Sequence, residues 1–173
     1  MSHVYIASDL HLGHANICNF RTQFSSVEEH DGTILENYNS LIRKQDTVIF
    51  LGDVAFTKER LADVGKLAGN KILVCGNHDL ERGIGMQDLV NTYSKVYAFH
   101  KKKGFWLSHC PIHPEELRGK FNIHGHVHDK TLEDPRYFNA SMENINYTPI
   151  NFKEIKEIMK DRNYRGDKFY EEC

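Results

Sequence analysis

The sequence predicts an α/β domain in which strands and helices alternate. Residues 47–51 and 71–75 are short apolar runs, each followed by a glycine, as expected for strands that are buried on both faces. Apolar residues recur at helical spacing between and around these runs. No internal repeat, low-complexity tract or linker divides the 173 residues, so we predict one domain over residues 1–173.

The first strand and the first helix are predicted near the N-terminus. Residues 4–8 form a strand-like apolar segment. The helix is predicted by the spacing of Ile34, Leu35, Tyr38, Leu41 and Ile42. Ser26 and Glu29 precede this stripe at the spacing of an N-terminal capping box.

The remaining elements follow in chain order. A second helix is predicted by the spacing of Leu61, Val64, Leu67 and Ala68, before Gly69. Residues 95–108 predict a hairpin that turns at residues 101–104, and residues 121–124 and 137–140 predict further strands. A last helix is predicted by Phe152, Ile155, Ile158 and Met159, with Asn151 and Glu154 placed to cap it.

Composition narrows the class of protein. The apolar fraction of 40% and the charged fraction of 27% are ordinary for a globular protein. A net charge of −2 provides no basic field that attracts nucleic acid, and no apolar run is long enough to span a membrane. We see no secretory signal, and the four scattered cysteines favour reduced thiols. These features predict a cytoplasmic protein with no membrane partner.

Histidine is the residue type that stands out, with 11 copies, three of them in the stretch His124, His126 and His128. In extended backbone, residues two apart point to the same side, so His126 and His128 can address one spot or two neighbouring spots. Neutral imidazole is the commonest ligand for transition metals in proteins. This internal cluster therefore indicates a metal site, with His124 expected to have a hydrogen-bonded structural role.

Four further segments offer metal ligands, and each follows a predicted strand. Taken alone, each is also typical of a cap or a turn. In chain order, the five segments are Asp9-x-His11, Gly52-Asp53, Gly76-Asn77-His78-Asp79, Ser108-His109 and Gly125-His126-x-His128. Ligands gather beyond the carboxyl ends of strands in open α/β sheets, so the five together predict one shared site. Carboxylate, amide oxygen and imidazole suit Mn²⁺, Fe or Zn²⁺.

These five segments, in this order, resemble the calcineurin-like metallophosphoesterase superfamily, in particular its small prokaryotic and phage members. The motifs extend from residue 9 to residue 128, and the one departure is Ser108, where the family often has glycine. The resemblance implies a sandwich of two mixed β-sheets flanked by helices. It also implies hydrolysis of phosphate esters through attack by a hydroxide that bridges two divalent metal ions.

The resemblance also implies a role for each motif residue. One metal would bind Asp9, His11 and His128. The second metal would bind Asn77, His109 and His126, and Asp53 would bridge the two ions. Mn²⁺ is the expected metal, with Fe, Zn²⁺, Ni²⁺ and Mg²⁺ as alternatives. His78 is expected to stabilise phosphoryl oxygens or to protonate the leaving alkoxide, with Asp79 holding its ring.

Three residues outside the ligand set are candidates for substrate binding. Arg21 and Arg82 could each hold a phosphate bidentately, although a surface arginine is the alternative interpretation of both. His14 lies three residues past His11 and could approach the site, or it could be an exposed loop histidine.

The predicted function is a phosphomonoesterase or phosphodiesterase for small, nucleotide-like phosphorylated substrates, with no obligate nucleic-acid partner. The sequence does not predict an oligomeric state. One alternative is a nuclease or RNA-processing enzyme of the same superfamily, which would need a basic groove for polynucleotide. Another is a catalytically silent metal-binding scaffold, but this chain retains His78 and all seven expected ligands.

Overall fold

The structure is a computed structural model that describes residues 1–162. Within these residues the chain forms nine β-strands and four α-helices. The strands are β1 (Val4–Ala7), β2 (Thr47–Phe50), β3 (Asn70–Val74), β4 (Lys95–Tyr97), β5 (His100–Lys102), β6 (Phe105–Leu107), β7 (Phe121–His124), β8 (Tyr137–Asn139) and β9 (Ile150–Asn151). The helices are α1 (Val27–Leu41), α2 (Lys58–Lys66), α3 (Met86–Thr92) and α4 (Phe152–Asp161).

The strands form two mixed sheets, as the resemblance implies. The first sheet has the order β4-β3-β2-β1-β9, with β9 antiparallel to β1 and the other pairs parallel. The second sheet has the order β5-β6-β7-β8, and its β5–β6 pair is antiparallel. In the first sheet Ala7 pairs with Phe50, and Phe50 pairs with Leu73. The carboxyl ends of β1, β2 and β3 therefore lie at the same edge.

One apolar cluster contains buried residues from both sheets. Ile6 and Ile49 of the first sheet and Phe105 and Ile123 of the second are each fully buried and belong to this cluster. Strands that are buried on both faces have continuous apolar sequences, because neither face needs polar side chains. The cluster holds the two sheets together and fixes the edge at which their loops meet.

The helix boundaries agree with the capping signals in the sequence. Ser26 accepts a hydrogen bond from the Glu29 amide at the start of α1, and Asn151 accepts one from the Lys153 amide at the start of α4. The capping box of α1 is modified, since the Glu29 carboxylate accepts hydrogen bonds from the amide and the hydroxyl of Ser25 instead of the Ser26 amide.

The predicted hairpin over residues 95–108 is shorter than expected. Only β5 and β6 pair with each other, across the turn at Lys103 and Gly104. Residues 95–97 instead form β4, which joins the first sheet beside β3. The segment contains two strands that belong to different sheets before the turn, and the alternation of side chains alone did not reveal that division.

No helix within residues 1–162 combines the length and the apolar character that crossing a membrane requires.

Candidate metal centre

The loops that leave β1 and β2 run side by side and carry three of the predicted ligands. The Asp9 amide donates to the Gly52 carbonyl at 3.0 Å, and the His11 amide donates to the Asp53 carbonyl at 3.0 Å. These bonds continue the parallel pairing of the strands beyond their ends. They place the side chains of Asp9, His11 and Asp53 at one edge of the first sheet.

Five of the predicted ligands have a left-handed backbone conformation. Their φ angles are 58° for Asp9, 53° for His11, 53° for Asp53, 70° for His126 and 53° for His128. This region costs a non-glycine residue about 1–3 kcal/mol, and such residues cluster at functional sites. These conformations turn the five side chains toward a common centre. The neighbouring structure stabilises them.

Asp9, His11 and His128 form the first ligand group. Each offers one ligand atom, and these atoms all lie within 4.8 Å of one another. Asp9 Oδ1 and His11 Nε2 are 3.8 Å apart. Both atoms are buried without a hydrogen-bond partner among the described residues, which is costly for polar groups. A cation between these atoms would satisfy both of them.

Asn77, His109 and His126 form the second ligand group. Asn77 Oδ1 lies 2.8 Å from His109 Nε2 and 3.0 Å from His126 Nδ1, and the two ring nitrogens are 3.1 Å apart. His109 donates from Nδ1 to the Leu51 carbonyl at 2.7 Å, which fixes its ring and directs Nε2 toward the group. His109 therefore reaches the second ligand group although Ser108 stands where the family often has glycine.

Asp53 lies between the two groups. Its Oδ2 atom is 3.8 Å from His11 Nε2 in the first group and 3.4 Å from His109 Nε2 in the second. Its Oδ1 atom accepts a hydrogen bond from the His78 amide at 2.9 Å. Asp53 is therefore placed where it could contact a metal ion held by either group.

The electrostatics of the site favour positive charge. Burial opposes ionisation of Asp9 and Asp53, yet hydrogen bonds and the charges of His109 and His11 keep the pKa of both carboxyl groups below the usual value. Burial also disfavours the charged form of His109, but the Asp53 carboxylate dominates and raises the pKa of His109 to about 9. In contrast, burial lowers the pKa of His11. The Asp53 carboxylate therefore favours the protonated form of His109.

Gly125 allows the second sheet to approach the first at this edge. A Cβ atom at this position would lie 1.9 Å from Ser8 Oγ and 2.1 Å from Asp9 Oδ2. The next amide, of His126, donates to the same Asp9 oxygen at 2.9 Å. Glycine is required at position 125 because of this close contact. Gly52 also has close neighbours, and its φ of +89° is a second reason for glycine there. Gly52 and Gly125 therefore both bring loops together.

His78 lies beside the ligand groups, but its partner differs from the prediction. The expected contact of Asp79 with the His78 ring is wrong. Asp79 is buried and accepts hydrogen bonds from the Asp53 and Val54 amides at 3.0 Å and from the Gly76 amide at 2.7 Å. His78 Nδ1 instead lies 2.8 Å from Glu81 Oε2. The i, i+3 spacing of His78 and Glu81 was the available sequence signal.

Arg21 also differs from the prediction, because it is 2% exposed and directed inward. Its guanidinium donates to the Asp9 and Leu10 carbonyls and to Glu143 Oε1, the last at 2.8 Å. These contacts use the guanidinium inside the protein, so Arg21 is not a phosphate clamp. Instead, it fixes the left-handed turn that carries Asp9.

Glu143 is a functional residue that sequence reasoning missed. Its Oε1 atom lies 3.1 Å from His128 Nδ1 and also accepts the hydrogen bond from Arg21. Burial opposes its ionisation, but the His128 hydrogen bond and the Arg21 charge lower the pKa of Glu143 to about 2. The carboxylate therefore orients the His128 ring through Nδ1 and leaves Nε2 for a metal.

The remaining candidates line a cleft of about 1010 Å³ that opens onto His11, His78 and His128. His14 and Arg82 lie in this cleft, and the Arg82 guanidinium is 5.0 Å from the centroid of the Phe56 ring. Their roles in substrate binding stay predictions.

His124 and Cys110 are neighbours of the motif residues. His124 is fully buried, and its Nδ1 donates to the Gly125 carbonyl at 2.8 Å, which confirms a hydrogen-bonded structural role. Cys110, which we did not predict as a ligand, lies within 4.8 Å of ligand atoms of His109 and His126.

Two mixed sheets with aspartate, asparagine and histidine gathered at their strand ends define the class of metal-dependent phosphoesterases. Residues 1–141 match the sequence profile of the calcineurin-like phosphoesterase superfamily domain, and the chain belongs to this family. Members are in general hydrolytic phosphoesterases that bind divalent metals.

Relatives in sequence are known from archaea and phages. The chain is 30% identical to the uncharacterized protein MJ1445 of Methanocaldococcus jannaschii, over 92% of this chain and 93% of that protein. It is 32% identical to the gene 66 protein of Mycobacterium phage L5, over 76% of this chain and 80% of that protein.

Two solved structures share the fold. The protein of unknown function AQ665 from Aquifex aeolicus superposes with a TM-score of 0.72 at 28% identity, covering 91% of this chain and 100% of that one. The Pseudomonas putida nuclease MPE superposes with a TM-score of 0.51 at 24% identity, covering 72% of this chain and 61% of that one, a similarity of fold alone.

Proposed function

We propose that this protein hydrolyses phosphate esters with the help of two divalent metal ions. The observation that carries the proposal is the position of Asp53, whose Oδ2 lies within 4 Å of both ligand groups. Two groups that share one carboxylate correspond to the arrangement of two-metal phosphoesterases. The unpartnered atoms Asp9 Oδ1 and His11 Nε2 support the same assignment because a cation would satisfy them.

The ligand chemistry supports Mn²⁺ as the working metal. Carboxylate, amide oxygen and imidazole are ligands that Mn²⁺ accepts, and Fe, Zn²⁺, Ni²⁺ and Mg²⁺ are the alternatives. When bound, the two ions activate water as a nucleophile and neutralise charge on the phosphoryl oxygens.

The chain contributes positioning and proton transfer. His78 lines the cleft, and its backbone amide is fixed by Asp53 Oδ1. With Nδ1 held by Glu81, its Nε2 is the ring nitrogen that donates a hydrogen bond to a phosphoryl oxygen or a proton to the leaving alkoxide. Glu81 therefore orients the His78 ring through Nδ1.

A metal-by-substrate matrix tests the proposal. A phosphate monoester and a phosphodiester with the same leaving group are assayed with Mn²⁺, Fe²⁺, Ni²⁺, Mg²⁺ and Zn²⁺, together with single-stranded nucleic acid. We expect metal-dependent hydrolysis that Asp53→Ala and His126→Ala abolish.

The matched control is His113→Ala, because His113 is exposed and lies outside both ligand groups. This variant should retain wild-type activity. If the metal-loaded protein hydrolyses no member of a broad panel of phosphate esters, the proposed activity is wrong.

A further inference from the structure

An exposed aromatic ring lies in the same cleft as the metal centre. Phe20 is 75% exposed, which among the large apolar side chains of residues 1–162 only Met1 exceeds. It lines the cleft together with His11, His78 and His128. Phe20 therefore presents an apolar ring to a ligand that enters the cleft.

The backbone holds Phe20 firmly in this exposed position. The 3-10 helix Ile17–Asn19 precedes it, and the Phe20 and Arg21 amides both donate to the Ile17 carbonyl, at 2.9 and 2.8 Å. Ile17 and Arg21 are each 2% exposed and anchor the turn on both sides. The ring is therefore presented to the cleft from a fixed turn, so little ordering is needed when a ligand binds.

The surroundings of Phe20 combine a second aromatic ring with polar side chains and positive charge. The His14 ring lies 6.2 Å from the Phe20 ring, centroid to centroid. Asn19 and Gln23 contribute exposed side chains to the same cleft, where Gln23 Nε2 donates to the Tyr147 hydroxyl and leaves Oε1 as the acceptor. Arg82 and Lys130 contribute cationic groups. Aromatic stacking surfaces with amide donors and acceptors are how proteins bind unpaired nucleobases.

We propose that Phe20 is a stacking surface for a nucleobase and that the substrates of this site are nucleotide esters. This inference rests on the proposed phosphoesterase function and specifies its substrate class. The phosphate lies at the metal centre, the base stacks on Phe20, and the amides of Asn19 and Gln23 contact the edge of the base. The cleft volume of about 1010 Å³ is at the upper end of the range for sites that bind small molecules, about 300–1,000 Å³.

Two esters that release the same product separate base stacking from chemistry. We compare the p-nitrophenyl ester of thymidine 5′-monophosphate with methyl p-nitrophenyl phosphate, using the Mn²⁺-loaded protein. In Phe20→Ala, the ratio of kcat/KM for the nucleotide ester to kcat/KM for the methyl ester should fall about 5- to 140-fold, the range that base–aromatic stacking implies. Most of the loss should appear in KM. Phe20→Trp should restore the ratio.

The matched control is Phe99→Ala. Phe99 is 50% exposed but packs against Trp106, outside this cleft. This variant should leave the ratio unchanged. The inference is wrong if Phe20→Ala leaves the ratio unchanged, whether or not both esters react more slowly.

A binding measurement separates failure of the inference from failure of the proposed function. 2-Aminopurine riboside 5′-monophosphate is added to the full-length protein, and quenching of its fluorescence reports stacking of the base. We expect quenching by wild type and at least a fivefold weaker apparent affinity for Phe20→Ala. If wild type cleaves neither ester but shows this difference, the proposed function fails and the base site stands. Equal quenching by both proteins would overturn the base site.

Discussion

The substitution Glu143→Gln tests whether a buried carboxylate supports the metal centre through its charge. Glu143 Oε1 receives both the Arg21 guanidinium at 2.8 Å and the His128 ring at 3.1 Å. The glutamine oxygen can occupy the same position and keep both contacts. The variant therefore removes the negative charge with little change in shape, and leaves Arg21 buried beside a neutral partner.

The expected loss in the free energy of unfolding follows from the pKa of Glu143. Its pKa falls from 4.5 to about 2, which at about 1.4 kcal/mol per pH unit corresponds to about 3 kcal/mol of stability. Because the pKa is lowered in the folded state, this stability is present above pH 4.5 and is lost as the pH falls toward 2. Linkage gives about 3 kcal/mol at pH 6 and about half of that at pH 3.

Urea unfolding of the metal-free protein, followed by the fluorescence of Trp106, measures this difference. We expect Glu143→Gln to lower the free energy of unfolding by about 3 kcal/mol at pH 6 and by about half of that at pH 3. The control is Glu116→Gln, since Glu116 pairs with Arg118 at an exposed position and should cost less than about 1 kcal/mol. An equal loss at both pH values would show that packing, and not charge, is responsible.

Three further substitutions have defined outcomes. Gly125→Ala places a Cβ atom 1.9 Å from Ser8 Oγ and should cost about 3 kcal/mol in urea unfolding and weaken Mn²⁺ binding in calorimetry; wild-type values for both would contradict the close contact. Asp79→Ala leaves three backbone amides without their acceptor and should cost at least about 3 kcal/mol, so a loss below 1 kcal/mol would refute its role. Tyr93→Phe removes a buried hydroxyl that has no partner among residues 1–162 and should raise the melting temperature, whereas a lower value would reveal a missing contact.

Local patterns predicted the parts of the fold in which burial is regular. The apolar runs of β2 and β3 and the helical stripe of α1 are each complete within about 15 residues of sequence. In contrast, α3 is seven residues long with one buried residue, Leu89, so its apolar stripe is too short to recognise. The division of residues 95–102 between two sheets depends on which neighbour each strand meets, and spacing along the chain does not encode that choice.

The candidate site shows the same division between local and distant information. The motif residues could be identified because each directly follows a strand, and the parallel register brings strand ends together. Glu143 meets Arg21 across 122 residues of sequence, and its 3-10 helix carries no pattern that indicates a metal site. Asp79 was assigned to its neighbour His78, but a buried carboxylate is stabilised where several amides converge. Two of those amides, of Asp53 and Val54, come from the loop after β2, and the third, of Gly76, comes from the same loop as Asp79.

Anomalous diffraction from crystals grown with Mn²⁺ tests the two-metal proposal most directly. We expect two peaks per chain, about 3.5–4 Å apart, with Asp53 contacting both. One peak should lie among Asp9, His11 and His128, and the other among Asn77, His109 and His126. A single peak, or two peaks that do not share Asp53, would contradict the proposal.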